Sequence, residues 1–208
     1  MASSYVVAVC GESCSGKTTV CRKIIERIAK INFSGQNLVA VVSQDSYYKG
    51  GNSQTNYDVP DSINFTEMIR DVKKLKNGEV IEAPIYEFAT HSRQKETKRI
   101  GPAKIIIIEG ILILTQKELC DICDLKIYVS AFPQLMYSRR MKRDVEERGR
   151  TPEEVEERYF RDVLPASQQF VVPSENFADI VLKNNTHNRF IGLEILLDHI
   201  DKKIHEMK

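Results

Sequence analysis

Gly11-Glu12-Ser13-Cys14-Ser15-Gly16-Lys17-Thr18 is the stretch on which the fold turns, because a short apolar run (5–10) precedes it and a helix-like segment (17–31) follows. Strand, glycine loop and helix in that order make a phosphate cradle. The glycines let the backbone curl until successive N–H groups point inward, and the following helix adds its positive end. Lys17 can reach the outer phosphates of a nucleoside triphosphate, and the Thr18 hydroxyl can ligate Mg²⁺. The eight residues, with Thr19 behind them, are the candidate triphosphate site, and Lys17 is also a candidate catalytic charge.

Further apolar runs at 38–42, 105–108, 125–129 and 180–182 read as strands. The four isoleucines at 105–108 leave no polar face, as a parallel strand covered on both sides requires. Helices are expected from Pro133 to about Arg148, stopped by Gly149, and again from Thr151, where Thr-Pro-Glu-Glu reads as a capping box. Phe190, Leu193, Leu197, Ile200 and Ile204 recur at helical spacing near the C-terminus. Alternating strands and helices predict an open, mostly parallel α/β sheet flanked by helices. The segment 79–100 breaks this rhythm and reads as an inserted β-hairpin appended to the sheet, with Pro84 at an edge. Residues 49–54 look like a linker. The whole of 1–208 is read as one domain.

Composition sets limits on function. The chain has 208 residues, 42% apolar and 28% charged, with a net charge of +1. No global field draws it to nucleic acid or a membrane, and no targeting segment is visible. Five scattered cysteines fit free thiols in a reducing, cytoplasmic setting.

Two carboxylates stand at strand ends, where ligands of open α/β sheets collect. Glu109 could help hold magnesium, or be an ordinary strand-end acid. Asp45 could align a hydroxyl nucleophile and take its proton, or cap its loop. Arg139, Arg140, Arg143, Arg148 and Arg150 could close over phosphates as a lid spanning about 139–165. Asp144, Glu146 and Glu147 are interleaved with them, so a solvated face is the alternative.

With these residues in hand, the chain resembles the uridine kinase (uridine-cytidine kinase) family of P-loop nucleoside kinases. The resemblance rests on the phosphate loop, Ser43-Gln44-Asp45-Ser46-Tyr47-Tyr48, Asn56-Tyr57-Asp58, Pro84-Ile85-Tyr86-Glu87-Phe88, His91-Ser92-Arg93, Ile108-Glu109-Gly110-Ile111, the arginine cluster and Phe177-Ala178-Asp179-Ile180. It implies a P-loop kinase fold and ATP-dependent phosphorylation of uridine or cytidine at the 5′-hydroxyl, with Mg²⁺ and with GTP as an alternative donor. By the same matching Asp45 is the general base and Glu109 the magnesium-linked acid. Asp58 and Arg140 take the ribose hydroxyls, and Tyr48, Tyr86, Phe88 and His91 form the base pocket. Arg143 and Arg148 face the phosphates, and Arg150 lies close to the nucleoside. A homotetramer acting in pyrimidine salvage is implied as well.

Three positions depart from the family pattern. Arg158 stands where a glutamine near the base is usual, and arginine offers donors only. His187 stands where some members place an acid near the adenine, and Val59 replaces a histidine. Phosphoribulokinase-like or pantothenate-kinase-like acceptors are the second reading. A GTPase is disfavoured, because the chain has neither N-K-x-D nor D-x-x-G.

Overall fold

The computed structural model describes residues 4–31, 37–52, 54–185, 190 and 192–207. Its centre is a five-stranded sheet of β1 (Tyr5–Cys10), β2 (Val39–Ser43), β5 (Ile105–Glu109), β6 (Leu125–Ser130) and β7 (Ile180–Lys183). The strand order is β2-β5-β1-β6-β7, and every neighbouring pair is parallel.

The sheet is covered on both faces, which explains the unbroken apolar strands. Val6, Ala8, Ile106 and Ile108 point to one face, where they meet Met68, Val72 and Leu75 of α2 (Phe65–Lys76). Val7, Val9, Ile105 and Ile107 point to the other. There they meet α1 (Lys17–Ile28) and the C-terminal helix α7 (Leu193–Glu206), whose Leu193, Leu197, Ile200 and Ile204 are buried as their spacing predicts. Phe190 is buried too, but ahead of the helix.

Helix α2 was not anticipated from the sequence, although its signals are present. Asn64 caps it by accepting from the Glu67 backbone N–H at 3.2 Å, and Phe65, Met68, Val72 and Leu75 recur at helical spacing. The short α3 (Lys117–Ile122) was not anticipated either.

The hairpin β3 (Ile81–Glu87) and β4 (Ser92–Ile100) is antiparallel, as expected. It is not appended to the main sheet: it forms a separate two-stranded sheet, irregular between Pro84 and Tyr86. Proline has no N–H to give to the ladder, so an irregularity beside it is natural. The hairpin base packs through Ile81 and Ala83 on the α2 side of the core.

Helix α4 (Pro133–Glu146) ends two residues before the expected Arg148, and Gly149 adopts φ +64° in the turn that follows. Helix α5 (Pro152–Arg158) starts with the expected capping box between Thr151 and Glu154. It then widens into a π-helical turn (Tyr159–Val163), the short α6 (Leu164–Ala166) and a second π-helical turn (Ser167–Val171). Among the described residues no helix is long and apolar enough to cross a membrane.

Met68 has no exposed surface and bridges α2 to the sheet. Met68→Ala should lower the unfolding free energy by about 2–5 kcal/mol in a denaturant titration. A loss below ~1 kcal/mol would mean that α2 is not part of the central core.

Candidate active site

The glycine loop is built by close approach. Gly11 has φ +136°, and a Cβ there would lie 2.2 Å from the Val129 carbonyl oxygen. Gly16 has φ +112°, and a Cβ there would strike Asn184 Nδ2 at 2.4 Å. Asn184 is fully buried and donates to the Ser15 carbonyl at 2.8 Å, so the last residues of the sheet brace the loop from behind. Within the loop Lys17 Nζ donates to the Glu12 carbonyl at 2.9 Å. The Glu12 carboxylate is turned to Ser167 Oγ at 2.7 Å.

Two strand ends bring the carboxylates together. Ser43 and Glu109 are register partners on β2 and β5, and Ser43 Oγ donates to Glu109. Asp45 lies two residues on, in a turn held by the buried Gln44, whose Oε1 accepts from Leu112 N at 2.8 Å. Gly110 leaves room for that side chain: a Cβ there would sit 2.4 Å from Gln44 Cβ. Burial and, after it, the charge of Glu109 push the Asp45 carboxyl up to about 6, against the pull of Lys17, Arg148 and Arg143. A carboxylate poised near neutral pH suits a general base.

Asp58 sits on a loop that Ser62 ties down, its hydroxyl donating to the carbonyls of Tyr57 at 3.0 Å and Val59 at 2.6 Å. Burial raises the Asp58 carboxyl pKa and Arg140 opposes the rise, while Asp162 adds to it. The hairpin is stitched on by Arg93, which donates to the carbonyls of Tyr48 at 2.8 Å and Tyr47 at 3.1 Å and pairs with Glu67 at 2.7 Å. Residues 49–54 are more than a linker, because the Gly51 N–H donates to the His91 carbonyl at 3.0 Å. His91 has φ +52° at the hairpin tip, and its ring stacks on Tyr57 at 5.3 Å and 12°. Tyr48, Tyr86 and Phe88 continue this aromatic wall, and the Arg148 guanidinium lies 5.3 Å over Phe88.

Asp144 organises the arginines. It is 1% exposed, and Arg143 pairs with it at 2.8 Å, Arg148 at 3.3 Å and Arg140 at 3.5 Å. Its carbonyl also accepts from the Arg150 N–H at 3.1 Å. The alternative of a solvated face therefore fails for Asp144. Helical periodicity places it between arginines, but only the packed turn shows that they converge on it. Arg139 leaves the cluster and donates to the Cys14 and Asn184 carbonyls, each at 3.4 Å.

One cavity collects most of the candidates. Ser13, Lys17, Thr18, Asp45 and Glu109 line it together with Tyr48, Asp58, Tyr86, Phe88, His91 and the arginines at 140, 143, 148, 150 and 158. Gly11, Cys14, Ser15, Gly16 and Thr19 are not among its lining residues, nor is Glu12, which faces a small neighbouring pocket. His187 lies outside the described residues. Tyr57, Gly110, Ile111, Asp162 and Val163 also line the cavity, and the sequence reading gave none of them a role. Tyr57 and Asp162 could have been suspected, the first from its place beside Asp58 and the second from its position four residues after Arg158.

Around Lys17 the available donors are the Thr18 hydroxyl and the Glu109 and Asp45 carboxylates. Among the described residues no cluster of three or more His, Cys, Asp or Glu could hold a metal alone. An all-oxygen set this sparse fits Mg²⁺, which keeps waters and substrate phosphates in its shell.

The profile of the Phosphoribulokinase / Uridine kinase family matches residues 6–190. A uridine kinase of Clostridium tetani is 35% identical over 206 residues, 96% of this chain and 95% of the relative. Uridine-cytidine kinase A of Dictyostelium discoideum is 37% identical over 97% of this chain and 40% of its own longer length. In three dimensions a D-glycerate 3-kinase of Cryptococcus neoformans superposes with a TM-score of 0.67 at 18% identity, over 92% of this chain and 89% of that one.

Burial raises the Asp144 pKa, but the Arg143 hydrogen bond and the three guanidinium charges outweigh it and hold the group below its ordinary value of 3.8. A depressed carboxyl pKa stabilises the fold above the unfolded value and loses that contribution as pH falls through the folded one. Asp144→Asn should lower unfolding stability by about 1–3 kcal/mol, less than for a fully buried pair because Arg143 and Arg148 are partly exposed. The difference between wild type and variant should be constant above about pH 4 and shrink below it. A difference that grows on acidification would show that Asp144 is not held as the charged partner.

Proposed function

Since the chain belongs to the Phosphoribulokinase / Uridine kinase family, a family of phosphotransferases with the P-loop kinase fold, we propose that it transfers the γ-phosphate of ATP to the 5′-hydroxyl of uridine and cytidine. The observation that supports this reading is a single cavity lined together by Lys17, Thr18, Asp45, Asp58 and the aromatic wall. A flat heterocycle suits an aromatic wall, and vicinal hydroxyls suit the half-buried Asp58 carboxylate, which feels the charge of Arg140. Small acceptors such as glycerate would leave the aromatic wall unused, and the shared fold does not decide the acceptor.

In this reading the loop N–H groups and Lys17 hold the triphosphate, and Thr18 and Glu109 hold Mg²⁺. The ion supplies charge neutralisation on the phosphates. Asp45 orients the 5′-hydroxyl and accepts its proton, and Arg143 and Arg148 stabilise charge on the transferring group. Asp58 and Arg140 fix the ribose, and an unpaired buried Asp58 would disfavour deoxyribose. Arg150 lies beside the nucleoside. The segment 139–165 acts as a lid that excludes water once both substrates are bound. The hairpin and this lid belong to one catalytic domain, and a homotetramer acting in cytoplasmic pyrimidine salvage is part of the same reading.

A transfer assay with ATP and each nucleoside should yield the monophosphate, and absence of product with both would overturn the proposal. Asp45→Asn should lower kcat by about 10²–10⁴ with ATP binding retained. Full turnover in that variant would remove Asp45 from the chemistry. The acid limb of kcat/KM should lie near pH 6, where the buried Asp45 takes up its proton. A limb near the ordinary carboxylate value of about 4 would assign it to another group.

A further inference from the structure

The arginines of the cavity fall into two sets. Arg140, Arg143 and Arg148 are paired with Asp144, which offsets part of their charge inside the protein. Arg158 is different. It lines the same cavity and is partly buried, yet among the described residues its side chain has no hydrogen-bond or ion-pair partner. Arg161, one turn on, is paired with Asp162 at 2.8 Å, whereas Arg158 acts on the cavity carboxylate Asp58 through its charge alone, with no hydrogen bond or ion pair among the described residues. It is also the last residue of α5, where the helix widens into the π-helical turn; such turns often occur where a helix aims side chains into a site.

Electrostatics locate Arg158 within the cavity. Arg158 and His91 line the same cavity, and after burial the charge of Arg158 is the next cause that lowers the His91 pKa; the same charge acts on Asp58 and Arg150, so the guanidinium is within reach of both the aromatic wall and Asp58. Burial first, then the charges of Arg158 and Arg150, hold the His91 pKa below its ordinary 6.5, so the ring favours the neutral form at pH 7, in which one nitrogen can accept. The aromatic end therefore offers a group that only donates beside one that can accept.

We propose that Arg158 reads the 4-position of the pyrimidine and makes the enzyme favour uridine over cytidine; this rests on the nucleoside-kinase reading above. Uracil presents a carbonyl acceptor at that position and an N–H beside it, which match a guanidinium donor and a neutral imidazole acceptor. Cytosine presents an amino donor there. Bound in the same pose it would set donor against donor and leave both unpaired away from water, the arrangement that polar pockets reject most strongly. Glutamine at the same place could donate or accept by turning its amide, and would serve both bases.

The test is kcat/KM with ATP for three ribonucleosides, those of uracil, cytosine and pyrimidin-2-one, the last of which lacks the 4-substituent and, with it, the N3–H. Wild type should favour uridine over each of the others by ~10-fold or more. Arg158→Gln should reduce the uridine-to-cytidine ratio at least ~5-fold and reduce the loss on deleting the 4-oxygen by a similar factor. Arg158→Lys, which keeps a cationic donor, should retain more of the preference than Arg158→Gln. A wild-type ratio near one, a preference for cytidine, or a ratio unchanged in Arg158→Gln of wild-type thermal stability would each overturn the proposal while leaving the kinase reading intact. Should the Gln variant fail to fold, the wild-type series with pyrimidin-2-one still decides, because no loss on removing the 4-oxygen refutes the contact. No transfer to any of the three would overturn the kinase reading, and this proposal with it.

Discussion

A parallel sheet buried on both faces constrains everything else in this molecule. Parallel strands must all end at the same edge, so β1, β2 and β5 deliver the glycine loop, Asp45 and Glu109 to one place. The apolar interior that forces this arrangement leaves no polar side chain along β5 until Glu109. Charge is thereby concentrated at the sheet edge, where burial makes each interaction stronger than it would be in water. The raised Asp45 pKa is a direct result: a strand-end acid is held near another carboxylate at the rim of a dry core.

The aromatic wall of the cavity is held by different means. The hairpin shares no ladder with the main sheet, and its position depends on a few polar ties. Arg93 grips two carbonyls and Glu67, and Gly51 holds the tip through the His91 carbonyl. Helix α2 joins these elements, since Glu67 contributes to its N-terminal cap and also receives Arg93. The aromatic wall is thus fixed relative to Asp45 by a short chain of hydrogen bonds, which is how a site on an appended element can still be geometrically defined.

The arginines illustrate how one buried acid can organise several cations. Three guanidinium groups this close would repel one another, and Asp144 offsets that repulsion while fixing their direction. One acid does not cancel three cations, so the cluster keeps an excess of positive charge at the cavity wall. The net charge of +1 hides this local polarity completely.

The local features of the chain were legible in its sequence. The glycine loop, the doubly apolar strands and the Thr151 capping box each depend on neighbours within a few residues, so spacing alone determines them. Helix α2 is equally local, resting on the Asn64 cap and the apolar spacing of Phe65, Met68, Val72 and Leu75. What spacing could not supply were the outcomes that depend on distant partners. Asp144 looks like a surface acid until three arginines fold over it, and Arg139 looks like its neighbours until it turns to the Cys14 and Asn184 carbonyls. The hairpin is recognisable as a hairpin, but only packing against α2 and residues 47–51 decides that it stands apart from the sheet. The glycine loop is thus written in eight consecutive residues, whereas the cavity beside it is assembled from segments more than a hundred residues apart. Burial and charge pairing at such a cavity are properties of the assembled fold, and no stretch of chain carries them alone.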